Sequence, residues 1–92
     1  MIASFKHRGL KRLYEQGDRS GIRPDMAPKI ERILQRLDVV TDPGQMNLPG
    51  YRLHPLRGEL KGFWSVTVNG NWRIIFTFED GRPGNVNLID YH

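Results

Sequence analysis

The chain contains no cysteine. Disulfides, thiolate nucleophiles and cysteine-based zinc sites are therefore excluded, and a reducing cytoplasm is the expected location. No stretch approaches the roughly 18 consecutive apolar residues of a membrane span, and the opening Met1-Ile2-Ala3-Ser4-Phe5-Lys6 lacks the apolar run of a signal peptide. A soluble protein with no membrane partner is expected. Also missing are a G-x-x-x-x-G-K-[ST] phosphate loop and a G-x-S-x-G nucleophile turn. Acids are scattered singly apart from Glu79-Asp80, so the clustered carboxylates of a divalent-metal nuclease are lacking and neither metal nor cofactor is expected. There is no internal repeat, linker or low-complexity tract.

What remains is a chain of 92 residues, enough for one domain, 1–92, with a single small core. Its formal net charge is +4, and the surplus lies in the first 40 residues, which hold nine Lys/Arg against five Asp/Glu. Residues 41–92 balance at five against five. Arg outnumbers Lys ten to four, which favours bidentate phosphate contacts and base stacking over point charges. A polyanion or an acidic protein partner is implied, with nucleic acid the leading class.

The period of the apolar residues divides the chain into helices followed by strands. Leu10, Leu13 and Tyr14 have helical spacing within Arg8 to Gln16, and Gly17 can end that helix in the left-handed conformation. Asp25 is the expected N-cap of a second helix reaching about Val40, with Met26, Ile30, Ile33, Leu34 and Leu37 on its packed face. Strands are predicted at Tyr51 to Pro55, Gly62 to Val68, Asn71 to Phe78 and Asn85 to Tyr91. Asn69-Gly70 reads as a two-residue hairpin turn, which would set Val66 opposite Arg73 and Trp64 opposite Ile75. Trp72, Ile74, Phe76 and Phe78 form the stripe expected under the helices, leaving Arg73, Ile75 and Thr77 on the uncovered face. Glu79-Asp80-Gly81 and Pro83-Gly84 are read as the next turn.

Three stretches carry chemistry. His54 ends a strand that Pro55 stops from pairing further, so its imidazole is expected at the mouth of a loop. Arg73 alternates with large apolar residues in a central strand, where a fixed guanidinium suits a phosphate. Asp90, Tyr91 and His92 bring a carboxylate, a phenol and an imidazole to the end of the last strand. Arg52, Arg57 and Lys61 join Arg73 in giving residues 51–78 four basic groups against the single acid Glu59. This set suits metal-free RNA cleavage, in which a base deprotonates the ribose 2′-OH, the oxyanion attacks the adjacent phosphate, and an acid protonates the departing 5′ oxygen.

IASFKHRGL at 2–10, YRLHPLRG at 51–58, GFWSVTVNGNWRIIF at 62–76 and DYH at 90–92 together resemble the HigB-like toxins of the RelE/ParE superfamily. The resemblance implies an α+β, RelE-like fold of two N-terminal helices on a twisted, mainly antiparallel sheet of four to five strands. It implies a type II toxin, a ribosome-dependent endoribonuclease that cuts mRNA in the ribosomal A site from the concave face of that sheet. His54 then becomes a candidate acid or base, Arg73 the phosphate clamp, and Asp90, Tyr91 and His92 complete the site, with Arg52 and Lys61 binding RNA. Arg57 stands where the family more often has Lys, and because guanidinium does not deprotonate it becomes a charge stabiliser. Which histidine is base and which acid stays open. The implied partners are a HigA-like helix-turn-helix antitoxin, operator DNA only through that antitoxin, and the mRNA-bearing ribosome. Two alternatives are a gyrase-poisoning toxin of the ParE type and a non-catalytic RNA-binding module.

Overall fold

The computed structural model describes residues 1–91. Helix α1 (Arg8–Gln16) begins where His7 Nδ1 accepts the Leu10 N–H at 3.1 Å and stops at Gly17, whose φ of 69° returns the chain through the left-handed region. Helix α2 (Ala27–Leu37) is shorter than its periodicity predicts. Asp25 is not its cap: the carboxylate is held instead by the Arg23 guanidinium at 2.8 and 3.1 Å, and the helix starts at Ala27-Pro28, where proline costs no hydrogen bond. At its other end Asp38 closes the helix and turns inward, accepting from the Ile2 N–H and the Tyr14 hydroxyl. This pins the N-terminal segment against both helices and raises the Tyr14 pKa, chiefly through the hydrogen bond to the carboxylate. None of the helices among the described residues is long and apolar enough to cross a membrane.

Strands β1 (His54–Pro55), β2 (Trp64–Asn69), β3 (Trp72–Glu79) and β4 (Arg82–Asp90) form one antiparallel sheet in sequence order. The N-terminal segment adds a partial fifth strand, with Phe5 bridging Val86 in parallel and the N–H groups of Ala3 and Lys6 bonded to the Pro83 and Val86 carbonyls. Ile30, Ile33, Leu37, Val66, Ile74, Phe76 and Val86 make the core between helices and sheet, with Trp72 and Phe78 packed at its margin. The expected stripe of β3 therefore does lie under the helices.

Register and turns depart from the sequence expectation in three places. First, the β2–β3 turn is centred on Gly70-Asn71, because Asn69 pairs with Trp72, and a bulge between Thr67 and Asn69 absorbs the extra residue. Val66 then faces Ile74 and Trp64 faces Phe76, so apolar side chains share the core face; the predicted pairing of Val66 with Arg73 would have mixed the two faces. Second, Asp80-Gly81 alone makes the β3–β4 turn, both at positive φ, and Pro83-Gly84 belong to β4. Third, β1 is only His54–Pro55 because Arg52, at φ 52°, interrupts the extended run; Tyr51 still accepts from the Thr67 N–H at 2.7 Å.

Candidate active site

Cross-strand neighbours project to the same side of a sheet, so the register lists what shares the face turned away from the helices. One row across the strands reads His54, Ser65, Ile75, Asn87, and the next reads Thr67, Arg73, Ile89. The face is not bare at its centre. Ser65 is fully buried and Ile75 nearly so, and Leu56, buried outside the helix-side core, reaches the same region through the loop after β1, where its N–H bonds the Phe63 carbonyl. Phe5 packs on Tyr14 in the core, so alternation sends Lys6 to this second face, where its ammonium sits 5.4 Å from the Phe63 ring centroid.

His54 is exposed, and its Nδ1 lies 2.9 Å from the Arg52 carbonyl oxygen. A carbonyl only accepts, so Nδ1 carries the hydrogen and the Nε2 lone pair of the neutral ring is left facing outward. The left-handed turn at Arg52 is what folds that carbonyl back to the ring. Pro55, next in sequence, ends β1 one residue further on.

Arg73 is half-buried, and its Nη1 donates to the carbonyls of Gly70 at 2.6 Å and Trp72 at 3.1 Å. Its Nε, the Thr67 hydroxyl opposite and the Ser65 hydroxyl are buried without a hydrogen-bond partner among the described residues. From strand spacings of about 4.8 Å laterally and about 6.8 Å per same-face step, the His54 and Arg73 backbones are ~12 Å apart.

The remaining predicted residues among those described lie on the loops around β1 and at the end of β4. Arg57 and Lys61 flank a 3-10 turn, Gly58–Leu60, and with Arg52 are solvent-exposed. Tyr91 is exposed, and its N–H is tied to the Asn71 carbonyl at 2.7 Å, which holds this residue against the β2–β3 turn. Asp90 pairs with Trp72, so alternation sends it to the helix side of the sheet, the face opposite to that of Arg73, and the expected grouping of the two on one face is not found. His92 lies outside the described residues. Sequence reasoning passed over Ser65, Thr67 and Lys6. The first two had a legible signal in the alternation of Ser65-Val66-Thr67-Val68, which places polar side chains opposite a buried face; nothing local marks Lys6.

Comparison with known proteins agrees with this architecture. The family model for RelE-like toxins of type II toxin-antitoxin systems of the HigB kind matches residues 3–92. An endoribonuclease HigB from Proteus vulgaris is 47% identical over 92 residues, covering 100% of both chains. A toxin HigB-1 from Vibrio cholerae is 34% identical over 90 residues, covering 96% of this chain and 95% of that one. Among solved structures, a YoeB-YefM complex from Staphylococcus aureus aligns with TM-score 0.63 at 19% identity, covering 100% of this chain and 95% of that one; this likeness concerns the fold.

Proposed function

The chain belongs to the HigB-like family of RelE-like toxins of type II toxin-antitoxin systems and is an endoribonuclease, and from that premise we propose that it cuts mRNA held in the ribosomal A site, by acid–base chemistry without a metal. The observation that carries this reading is the shared sheet face of His54 and Arg73, with the Nε2 lone pair of His54 turned outward. His54 takes the proton of the ribose 2′-OH, the 2′ oxygen attacks the adjacent phosphorus, and the bond to the 5′ oxygen breaks. Arg73, with Arg57 as a second positive charge, stabilises the negative charge gathering on the non-bridging oxygens. The 5′ oxygen must gain a proton as it leaves, which falls to Tyr91 and His92 after β4, and Arg52 and Lys61 hold flanking phosphates. The products are a 2′,3′-cyclic phosphate and a 5′-hydroxyl.

Ribosome dependence suits so small a protein, because the ribosome supplies the ordering of the substrate and the toxin supplies a few reacting groups. As a toxin of a type II system the protein has an antitoxin partner. We propose that this partner is HigA-like, with a helix-turn-helix that alone contacts operator DNA, and that the toxin acts in the cytoplasm. Incubating purified protein with mRNA, with and without programmed ribosomes, tests the reading. Cleavage confined to the ribosomal samples, with cyclic-phosphate ends, is expected; stalled gyrase with intact mRNA would replace it with the gyrase-poisoning alternative.

A further inference from the structure

The helix-free face of the sheet contains an unused donor beside an unused acceptor. Thr67 and Arg73 are direct cross-strand partners, yet the Thr67 hydroxyl and Arg73 Nε are each buried and unbonded among the described residues. Native proteins leave few buried polar atoms in that state, and those that persist commonly have work to do in another state. Meanwhile Arg73 Nη1 is held by the Gly70 and Trp72 carbonyls. Those contacts draw the guanidinium along the sheet toward the β2–β3 turn, away from the row that holds His54.

We infer that Arg73 has a second, working position in which Nε–H donates to the Thr67 hydroxyl while the Nη edge leaves Gly70 and meets the scissile phosphate, making Thr67 a positioning residue for the clamp. The inference rests on the reading of Arg73 as the phosphate contact. Geometry supplies the partner: the hydroxyl is on the strand beside Arg73, on the same face, and its own hydrogen stays free for a phosphate oxygen. Energetics supply the trigger. The turn carbonyls offer the guanidinium only a neutral dipole, whereas a phosphate adds a full opposite charge and bidentate geometry, so an anion on the face draws the guanidinium off the turn, and the new Nε bond removes both orphaned atoms at once. Without RNA the turn carbonyls keep the cation parked.

The test is single-turnover cleavage on mRNA-programmed ribosomes. Thr67→Val, which keeps shape and removes the hydroxyl, should lower the rate at saturating ribosome by roughly 10- to 100-fold with half-saturation changed less than twofold, and Thr67→Ser should restore it. Thr67→Ala takes the place of valine if that variant does not fold. A double-mutant cycle separates positioning from mere structure. Arg73→Lys keeps the charge but has no Nε–H, so adding Thr67→Val to it should cause no further loss. Thr67→Val at the wild-type rate, or a loss that persists undiminished in the Arg73→Lys background, overturns the inference. Full activity in Arg73→Ala would instead overturn the wider assignment of Arg73 as the clamp.

Discussion

Two histidines in this chain use the same ring nitrogen in opposite senses. His7 Nδ1 accepts the Leu10 N–H at the start of α1, whereas His54 Nδ1 donates to the Arg52 carbonyl. For His7 the neutral ring is the structural form: burial first, and the Arg12 charge second, hold its pKa below the ordinary 6.5. The folded state therefore binds this proton less readily than the unfolded chain, so the contribution to stability is complete above pH 6.5 and is lost as the pH falls through the folded value. His7→Ala should cost about 1 kcal/mol at pH 8, the usual worth of an N-cap, and should flatten the acid limb of stability measured by denaturant unfolding between pH 8 and 5. An acid limb identical to that of the wild type would mean another group controls it. For His54 the expected consequence is catalytic: His54→Ala should lower cleavage on ribosomes by about 10²- to 10⁴-fold while leaving the unfolding midpoint nearly unchanged, because the ring is exposed.

Between elements, close backbone approach and bulges set how helices and strands meet. Gly9 in α1 lies against Gly21 of the connector so tightly that a Cβ on Gly9 would stand 2.6 Å from the Gly21 carbonyl oxygen. Gly9→Ala should push the connector off α1 and cost about 1–3 kcal/mol, read as a lower denaturant midpoint with unchanged slope. In β4 a bulge between the Ile75–Asn87 and Thr77–Gly84 pairs falls at Asn85, whose φ is 51°. Asn tolerates this region better than other residues with a Cβ, and here it also bonds Thr77 through its side chain and Ser4 through its N–H. Asn85→Val should destabilise by roughly 1–3 kcal/mol, with Asn85→Gly recovering part of the loss; equal stability of both would remove backbone strain as the cause.

At the scale of the whole molecule, charge separates into two regions with different uses. The surplus of basic residues sits in the helical half, while the sheet half holds a smaller set, Arg73 on the helix-free face and Arg52, Arg57 and Lys61 exposed on the loops around β1. Paired surface ions such as Arg19 with Glu31 and Arg23 with Asp25 spend part of the helical surplus locally. Arg52 and Lys61 are exposed, and on our reading they contact phosphates without reaching the reacting centre. The double variant Arg52→Ala/Lys61→Ala should therefore weaken binding to programmed ribosomes and make the logarithmic salt slope shallower by roughly 1–2, with the single-turnover rate at saturation unchanged. A slope equal to that of the wild type would show that neither residue meets a phosphate.

Periodicity by itself determined α1 to the residue, the buried face of α2, the stripe of β3 and the order of helices before strands, because each follows from side-chain burial repeating every 3.6 or 2 residues. The absence of cysteine and of clustered acids likewise narrowed the chemistry before any fold was known. Tertiary structure decided what local pattern leaves degenerate. Asn69-Gly70 and Gly70-Asn71 both suit a two-residue turn, and only the need to set Val66 against Ile74 over the core selects the second, with a bulge to correct the count. Asp25 is as good a cap as any in isolation, but Arg23 takes its carboxylate. That final register is also what puts Thr67, and not Val66, across from Arg73, so the proposed partner of the clamp depends on a one-residue choice made by the packing of the opposite face.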